Sequence, residues 1–193
     1  MPPMLAADVH DSLALAPRID ESYSGSPDPC SLADSPAVNA SIQLANWLEC
    51  QINGFFPYPA NGPWDTIYHR TFHPSLHATF NSTHYNYTNF LSLYTSFNAT
   101  LGQTFAPFRH GFLSSLAVPN ANGDRGGFVY VIGWEGGWHV ASKRELWFSD
   151  AVFAVVRDVG AGERRIVEFR ESSNIPNSAT LPEGNEGGCG FVE

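Results

Sequence analysis

His110 lies in an apolar, strand-like segment where its imidazole could exchange protons with a ligand. The segment runs from Phe105 to Val118, and side chains alternate between the two faces of a strand. Three apolar residues share the face of His110: Phe108, Phe112 and Leu116. An imidazole in that setting titrates near neutral pH, so His110 either transfers protons or satisfies a core hydrogen bond.

Asp150 is the only acid on its face of a second apolar segment, Lys143 to Arg157. That face carries Leu146, Phe148, Asp150, Val152, Ala154 and Val156. Burial among such neighbours raises the pKa of a carboxyl group, which is how a general acid or base is tuned. A bulge in the strand would instead turn Asp150 to solvent, as one more surface charge.

Glu171 stands near the end of a third segment, Ile166 to Ser173. Alternation groups it with Phe169, which predicts an inward orientation. The alternative is an ion pair at the rim of the sheet with Arg170 or Arg144. Ion pairs account for many acids of this kind, which favours the rim.

Tyr68 and three histidines surround a predicted helix end. His69, His73 and His77 are spaced four residues apart, and two histidines one helical turn apart can chelate zinc. Pro74 ends the helix between them and no carboxylate pair accompanies them, so we expect no metal site. Any one of the histidines could line a pocket instead, and the Tyr68 phenol could stabilise an oxyanion.

Hydrophobic periodicity predicts the elements that position these side chains. Helical spacing predicts helices over Val38 to Ile52, Trp64 to Phe72 and Phe90 to Leu101, the first ended by Asn53-Gly54 and the third by Gly102. A short strand is predicted at Leu76 to Phe80. Long strands rich in Val, Phe, Trp and Tyr follow at 105–118, 128–134, 143–157 and 166–173. Glycines 133, 136 and 137 interrupt the middle of this region, which indicates a bulge or a sharp bend.

This order places helices before a meander of long strands, which must twist and curl. The expected fold class is α+β: a cone-shaped, curved antiparallel sheet packed against three N-terminal helices and enclosing an apolar pocket. Residues 37–174 form this single domain. Residues 1–36 are expected to be a flexible arm, and residues 175–193 a Gly- and Pro-rich tail.

The charge and the composition narrow the classes of partner. With a net charge of −9 and 10 basic residues, the chain has no electrostatic footprint for a nucleic acid or an anionic membrane. Its 14 phenylalanines suggest a cavity lined by flat rings. No phosphate-binding glycine loop and no Gly-x-Ser-x-Gly elbow occur in the sequence.

The three cysteines, Cys30, Cys50 and Cys189, are odd in number and far apart, so their spacing predicts neither a disulfide framework nor a metal motif. The segment Met1 to Pro17 lacks the features of a secretory signal, and no run reaches the roughly 18 apolar residues of a membrane span. We therefore expect a cytoplasmic protein. Four Asn-x-Ser/Thr sequons leave a secreted glycoprotein as the alternative, at Asn39, Asn81, Asn86 and Asn98.

Two stretches resemble the nuclear transport factor 2-like fold, in particular its SnoaL-like polyketide cyclase branch. The sequence YHRTFHPSLHATF (68–80) is similar to the family's helix that ends in an aromatic-x-Pro turn into the first strand. The sequences RELWFSDAVFAVVRD and RIVEFRESSN look like its last two strands. The resemblance spans residues 38–174, and the chain departs from it in both tails, in Val159 to Arg165 and in the GWEGGWH segment.

The resemblance implies a cavity between the helices and the concave sheet, often within a homodimer. Such proteins include isomerases, cyclases and dehydratases that usually need no cofactor, and also binding and adaptor proteins. We therefore expect a cofactor-independent enzyme that isomerises, cyclises or dehydrates a hydrophobic polyketide, terpenoid or indole-type molecule. A non-catalytic binding or adaptor protein is the alternative.

The expected catalytic residues are His110 and Asp150 as the central acid–base pair, assisted by Tyr68 and Glu171. The expected ligand contacts are Trp47, Phe72, His73, Tyr94, Phe108, Tyr130, Trp134, Trp138, Arg144 and Phe148. For any single aromatic residue in this set, core packing is the commoner role.

Overall fold

The structure, a computed structural model, describes residues 28–175. This range holds four α-helices, α1 (Pro29–Leu32), α2 (Ala40–Phe55), α3 (Trp64–Thr71) and α4 (Tyr87–Thr104), and a short 3-10 helix at Pro59–Asn61. The strands are β1 (Phe72–Phe80), β2 (Thr83–Asn86), β3 (Phe105–Pro119), β4 (Gly127–His139), β5 (Arg144–Gly160) and β6 (Glu163–Ser173). Residues 1–27 of the predicted arm and 176–193 of the predicted tail lie outside the described residues.

The six strands form one sheet in the order β2-β1-β6-β5-β4-β3. All neighbours pair antiparallel except β1 and β6, which are parallel. The α2, α3 and α4 helices pack on the side of the sheet that carries the buried core. The predicted α+β class, with helices against a curved sheet, is therefore confirmed.

Two helices extend beyond their predicted ends. The glycines that are expected to end them lie inside the helices, where they make room for a neighbouring side chain. The α2 helix passes through Gly54 to Phe55, and a Cβ atom at Gly54 would lie 3.0 Å from the Ile67 side chain. The α4 helix passes through Gly102, where a Cβ atom would lie 2.5 Å from the Pro59 ring. Neither glycine is the helix stop that the sequence predicts, since each admits a neighbour instead of ending the helix.

The β4 strand continues through its glycines to His139, beyond the predicted end at Trp134, and the predicted bulge is found on the neighbouring strand β3, opposite Gly133. Gly136 and Gly137 adopt φ angles of 146° and 155°, where side chains are rarely tolerated. A Cβ atom at Gly137 would lie 2.0 Å from the Pro107 carbonyl oxygen, so glycine permits β3 and β4 to stay paired. The sequence also misses β2, whose residues Thr83–Asn86 are polar and mostly exposed.

A bulge in β3 reverses the faces of its last residues. The pairing with β4 shifts register between Phe112 and Ser114. As a result Ala117 is buried, whereas Leu116 is 62% exposed. The prediction that Leu116 shares the face of His110 is wrong for this reason, since simple alternation does not survive an inserted residue.

A disulfide bond joins Cys30, in α1, to Cys50, in α2. The Cα atoms are 4.9 Å apart, within the range that a disulfide requires. The sequence spacing predicts no disulfide, because the proximity of the two cysteines arises only when α1 folds back onto α2. Disulfides persist in oxidising compartments, so the bond favours such a compartment over a reducing cytosol.

The buried guanidinium of Arg164 holds the same N-terminal segment to the sheet. It donates to the Ala33 carbonyl oxygen at 2.9 Å and pairs with Asp34, and it lies 5.4 Å from the Trp47 ring centre. The segment from Asp28 to Asp34 is thus fixed both covalently and by a charged contact. Among the described residues, no helix combines the length and the apolar character needed to cross a bilayer.

Removing the disulfide should lower the free energy of unfolding by about 3 kcal/mol, because it closes a loop of 20 residues in the unfolded chain. The double variant Cys30→Ser/Cys50→Ser should therefore melt below the wild type in thermal unfolding. Reductant should lower the melting temperature of the wild type and leave that of the double variant unchanged. If reductant left the melting temperature of the wild type unchanged, the Cys30–Cys50 disulfide would be refuted.

Candidate active site

Three acidic side chains on neighbouring strands face the buried side of the sheet: Glu135 (β4), Asp150 (β5) and Glu171 (β6). Glu135 is opposite Phe148 and Glu171 is opposite Val152, so each stands diagonally across from Asp150. Diagonal neighbours on one face of a sheet are close enough for charged groups to interact. Glu135 and Glu171 are only 5% and 9% exposed, which is rare for acids without a basic partner.

Two adjoining cavities lie between this part of the sheet and α2 and α4. One is lined by Phe56, Pro57, Phe80, Tyr94, Phe97, Leu101, Glu135, Glu171 and Ile175. The other is lined by Ile52, Phe55, Phe56, Tyr94, His110, Gly111, Phe112, Val131, Gly133, Asp150, Val152, Phe169 and Glu171. The shared residues Phe56, Tyr94 and Glu171 join the two spaces. The three acids therefore line cavities whose other walls are largely aromatic.

The cavities are narrow. Each has a cavity volume of about 20 Å³, which is room for about one water molecule. A ligand of metabolite size therefore needs lining side chains to move. Of the aromatic residues that line the first cavity, Phe56 and Phe97 are half-buried and the others are buried.

Glu135 is held in place by Ser173 at the end of β6. The Ser173 hydroxyl donates to Glu135 Oε1 and accepts from the Ile175 backbone N–H at 3.0 Å. Burial raises the pKa of Glu135 to about 8, with a further contribution from the negative charge of Asp150 and a smaller opposing effect of the Ser173 bond. Glu135 therefore keeps its proton at neutral pH.

Glu171 contacts a tyrosine, not an arginine. The Tyr94 hydroxyl donates to Glu171 Oε2 at 3.0 Å. Burial raises the pKa of Glu171 well above its ordinary value, as do the charges of Asp150 and Glu135. The rim pairing that the sequence favours is wrong, because strand alternation points Glu171 inward and Arg170 pairs with Glu168 on the opposite face.

Asp150 and His110 line the same cavity. Burial raises the pKa of Asp150 to about 6, and its Oδ1 atom is buried without a hydrogen-bond partner among residues 28–175. The His110 ring stacks on Phe56 at 4.2 Å, and burial lowers its pKa to about 4. At pH 7 the site thus combines a carboxylate (Asp150), a protonated carboxyl group (Glu135) and a neutral imidazole, beside Glu171 with its raised pKa.

The structure brings together three of the four predicted catalytic residues: His110, Asp150 and Glu171. Tyr68 lies apart from them. Its side chain is fully buried in the aromatic core, and its hydroxyl donates to the Tyr87 carbonyl oxygen at 2.9 Å. Since that bond uses its only proton and Tyr68 lines neither cavity, we withdraw it from the catalytic set.

Of the predicted ligand contacts, Tyr94 lines both cavities and the others line neither. Three pack elsewhere in the interior: Trp47 against Arg164, Phe72 against Tyr68, and Phe108 against Phe105. The remaining six are half-buried or exposed: His73, Tyr130, Trp134, Trp138, Arg144 and Phe148. Strand alternation explains the error for Tyr130, Trp134 and Trp138, because inward β4 positions are odd-numbered.

Glu135 is the site residue that sequence reasoning misses. The alternation of Val129, Val131 and Gly133 points directly to it as the next inward residue. The surrounding glycines, however, indicate an interrupted strand, and this hides the pattern. Continuing the inward and outward alternation of the strand through the glycines would therefore have identified Glu135.

The three spaced histidines do not form a cluster. His69 Nδ1 contacts the Tyr87 hydroxyl at 2.6 Å, and His73 Nδ1 contacts the Ser75 hydroxyl at 2.8 Å. The α3 helix ends at Thr71, so His77 lies on β1 instead of on the helix. In the part of the chain that the structure covers, no group of three or more His, Cys, Asp or Glu side chains is arranged to hold a metal ion.

No protein-family model matches the chain, and neither does any curated protein. Similar solved structures include a nuclear transport factor 2-like superfamily protein from Salmonella enterica, at 14% identity and a TM-score of 0.49, covering 77% of this chain and 97% of that one. Another, from Jannaschia sp. CCS1, carries the name SnoaL-like polyketide cyclase, at 15% identity and a TM-score of 0.48, covering 77% and 96%. A ketosteroid isomerase-like protein from Erwinia carotovora has 10% identity and a TM-score of 0.43, covering 66% and 94%. The first two names agree with the family that the sequence resembles, and at these values none of the three indicates what this chain does.

The protonated acids predict that stability falls as pH rises. Between its ordinary pKa and about 8, Glu135 holds its proton in the folded state and loses it in the unfolded state, so folding weakens by up to about 1.4 kcal/mol per pH unit for this group. Urea unfolding should give a larger free energy at pH 5 than at pH 8. Glu135→Gln should reduce this slope, whereas the exposed control Glu145→Gln should leave it intact. An unchanged slope in Glu135→Gln would contradict the buried, protonated state.

Proposed function

We propose that the chain is an enzyme that moves a proton on a hydrophobic small molecule, as an isomerase, cyclase or dehydratase. The observation that supports this most is that Asp150, with a pKa of about 6, Glu135, with a pKa of about 8, and Glu171 line two adjoining cavities with apolar walls. Titratable groups whose environments push their pKa values apart are suited to act as base and acid in one reaction.

In this mechanism Asp150 is the general base. Its unpartnered Oδ1 removes a proton from carbon next to a substrate carbonyl, and the electron pair shifts to the carbonyl oxygen. The developing oxyanion accepts hydrogen bonds from the carboxyl protons of Glu135 and Glu171. Protonated Asp150 then returns its proton to another carbon for isomerisation. In cyclisation a new carbon–carbon bond forms, and the resulting alkoxide takes a proton from one of the acids.

Tyr94 and His110 assist without changing charge. Tyr94 donates to Glu171 and so fixes which Glu171 oxygen is free to face the substrate. Neutral His110, which stacks on Phe56 and lies opposite Glu135 on the neighbouring strand, offers one donor and one acceptor on the same face of the sheet. All the chemistry in this scheme is carried by side chains, so the proposed reaction needs no cofactor.

The lining favours a neutral, flat substrate. Among the described residues that line the two cavities, none is Lys or Arg, so a substrate carboxylate or phosphate would find no positively charged partner there. The aromatic walls suit fused or conjugated rings, which is why we keep the polyketide, terpenoid or indole class. Closing rings around the substrate would also exclude water and hold it in a reactive geometry.

Metabolite extracts of the source organism with and without the gene test this function. Accumulation of an isomer of the lost product identifies an isomerase or cyclase, and a precursor heavier by one water identifies a dehydratase. The accumulated compound is then given to the purified protein. An unchanged profile would favour the non-catalytic alternative, a binding protein that uses the same cavity.

Replacing Asp150 by Asn should lower kcat for that compound by about 10²–10⁴-fold, because the base is lost while its shape is kept. The matched control is Tyr68→Phe, which removes a hydroxyl remote from the cavities and should leave kcat unchanged. Equal activity in Asp150→Asn and in the wild type would refute the assignment.

The pH dependence of kcat/KM should be bell-shaped. Activity should rise as pH passes about 6, where Asp150 ionises, and fall as pH passes about 8, where Glu135 loses its proton. In Glu135→Gln the alkaline fall near pH 8 should disappear, because the group that loses its proton there is gone. A Glu135→Gln profile identical to that of the wild type would exclude Glu135 as the acid.

We also propose that the chain forms a homodimer through the outer face of the sheet. Rows of side chains cross this face in register, for example Leu116, Tyr130, Phe153 and Arg170. Ile132 is 53% exposed there. An exposed apolar patch of this extent is typical of a protein contact, and it is also the feature that supports an adaptor role.

Sedimentation should show a dimer for the wild type and a monomer for Ile132→Lys, because the lysine would be buried unpaired in the contact. Val159→Lys is the control, since Val159 is exposed near the β5–β6 turn. Ile132→Lys should keep its fold by circular dichroism. A wild type that stays monomeric at high concentration would rule out this contact.

A further inference from the structure

Four Asn-x-Ser/Thr sequons occur in the described part of the chain, and the proposed function uses none of them. N-linked glycosylation bonds a sugar to the side-chain nitrogen, Nδ2, and leaves the side-chain oxygen, Oδ1, free to accept hydrogen bonds. A sequon therefore suits modification in the folded protein when Oδ1 is engaged by the protein and Nδ2 faces solvent.

Three of the four asparagines have this arrangement. Asn39 caps α2, with Oδ1 accepting from the Ile42 backbone N–H at 3.0 Å. Asn86 caps α4, with Oδ1 accepting from the Asn89 backbone N–H at 2.9 Å. Both residues are exposed, and within residues 28–175 their Nδ2 atoms donate to no protein group.

Asn81 follows the same rule in the turn between β1 and β2. Its backbone adopts a φ of 52°, and its Oδ1 accepts from the Ser173 backbone N–H at 3.0 Å. The residue is exposed, and its Nδ2 is likewise unused among the described residues. A glycan on Nδ2 would keep this contact to β6.

Asn98 differs from the other three. It lies inside α4, is half-buried, and its Nδ2 atom is buried without a hydrogen-bond partner in the described part of the chain. A sugar on this atom could not be accommodated unless the helix moved from the sheet. The structure thus distinguishes one sequon whose Nδ2 atom is buried, at Asn98, from three sequons whose asparagines are exposed.

The disulfide gives a second, independent indication of compartment. The Cys30–Cys50 bond favours an oxidising environment, and in eukaryotes disulfide formation and N-glycosylation occur in the same secretory compartment. Chance sequons in a cytosolic protein would have no reason to coincide with a disulfide.

We propose that Asn39, Asn81 and Asn86 carry N-linked glycans and that Asn98 does not. The donor is a polyprenyl diphosphate-linked oligosaccharide. The bond from the anomeric carbon of the sugar to the diphosphate breaks, and a bond from that carbon to Nδ2 forms. Nδ2 loses one proton, and the polyprenyl diphosphate leaves.

The first test uses the protein isolated from its source organism. Its intact mass should fall on treatment with peptide-N-glycosidase, and in heavy-oxygen water the enzyme should label positions 39, 81 and 86 as aspartate. Cys30 and Cys50 should resist alkylation until reductant is added. An unglycosylated native protein, or a label at position 98, would overturn the proposal.

The second test uses Asn→Asp variants of the full chain directed into a eukaryotic secretory pathway. Aspartate keeps the Oδ1 acceptor of each cap or turn and removes the glycan acceptor, so folding should be retained. Asn39→Asp, Asn81→Asp and Asn86→Asp should each remove one glycan step on a denaturing gel, and the triple variant should remove all of them. Thr100→Ala, which deletes the Asn98 sequon without changing Asn98, should cause no shift. Residual glycan on the triple variant would place modification at Asn98 and contradict the structure.

Discussion

The curl of the long strands is the constraint on which the remaining structure depends. The β3, β4 and β5 strands run for 15, 13 and 17 residues, and antiparallel strands of that length twist too strongly to stay flat. The curled sheet has one face that the helices must cover and one that they leave exposed. Two glycines keep β4 paired within this curled sheet: Gly136 lets the backbone of β5 approach, and Gly137 lets that of β3 approach.

The shifted pKa values of the site arise from the way the curled sheet places its side chains, more than from any single residue. Inward alternation on three adjacent strands sets Glu135, Asp150 and Glu171 against apolar walls, where water cannot stabilise three charges. The groups therefore settle on different protonation states without a basic partner. Tyr94 and Ser173 supply the hydrogen bonds that keep the two glutamates in place.

The sequence predicted the class of fold and four residues that line the cavities, His110, Asp150, Glu171 and Tyr94, since both depend on local periodicity. Alternation placed Asp150 correctly because β5 has no bulge near it, and it failed for Leu116 because β3 has one. The disulfide, the β1–β6 pairing and the role of Gly54 are contacts between distant parts of the chain. Spacing along a single sequence carries no signal for such contacts. Glu135 is a different case, because local alternation does point to it but the glycines beside it indicate a broken strand.

The strand order has a consequence for how the chain acquires its structure. The β1 strand pairs with β2 next to it in sequence, but its other neighbour is β6, the last strand of the sheet. During synthesis one edge of β1 therefore stays unpaired until β6, the final strand, has left the ribosome. Contacts of such long sequence separation slow folding and prolong the exposure of unpaired strand edges. A chain that stops before β6 would leave two open edges, one on β1 and one on β5, and these invite pairing between molecules.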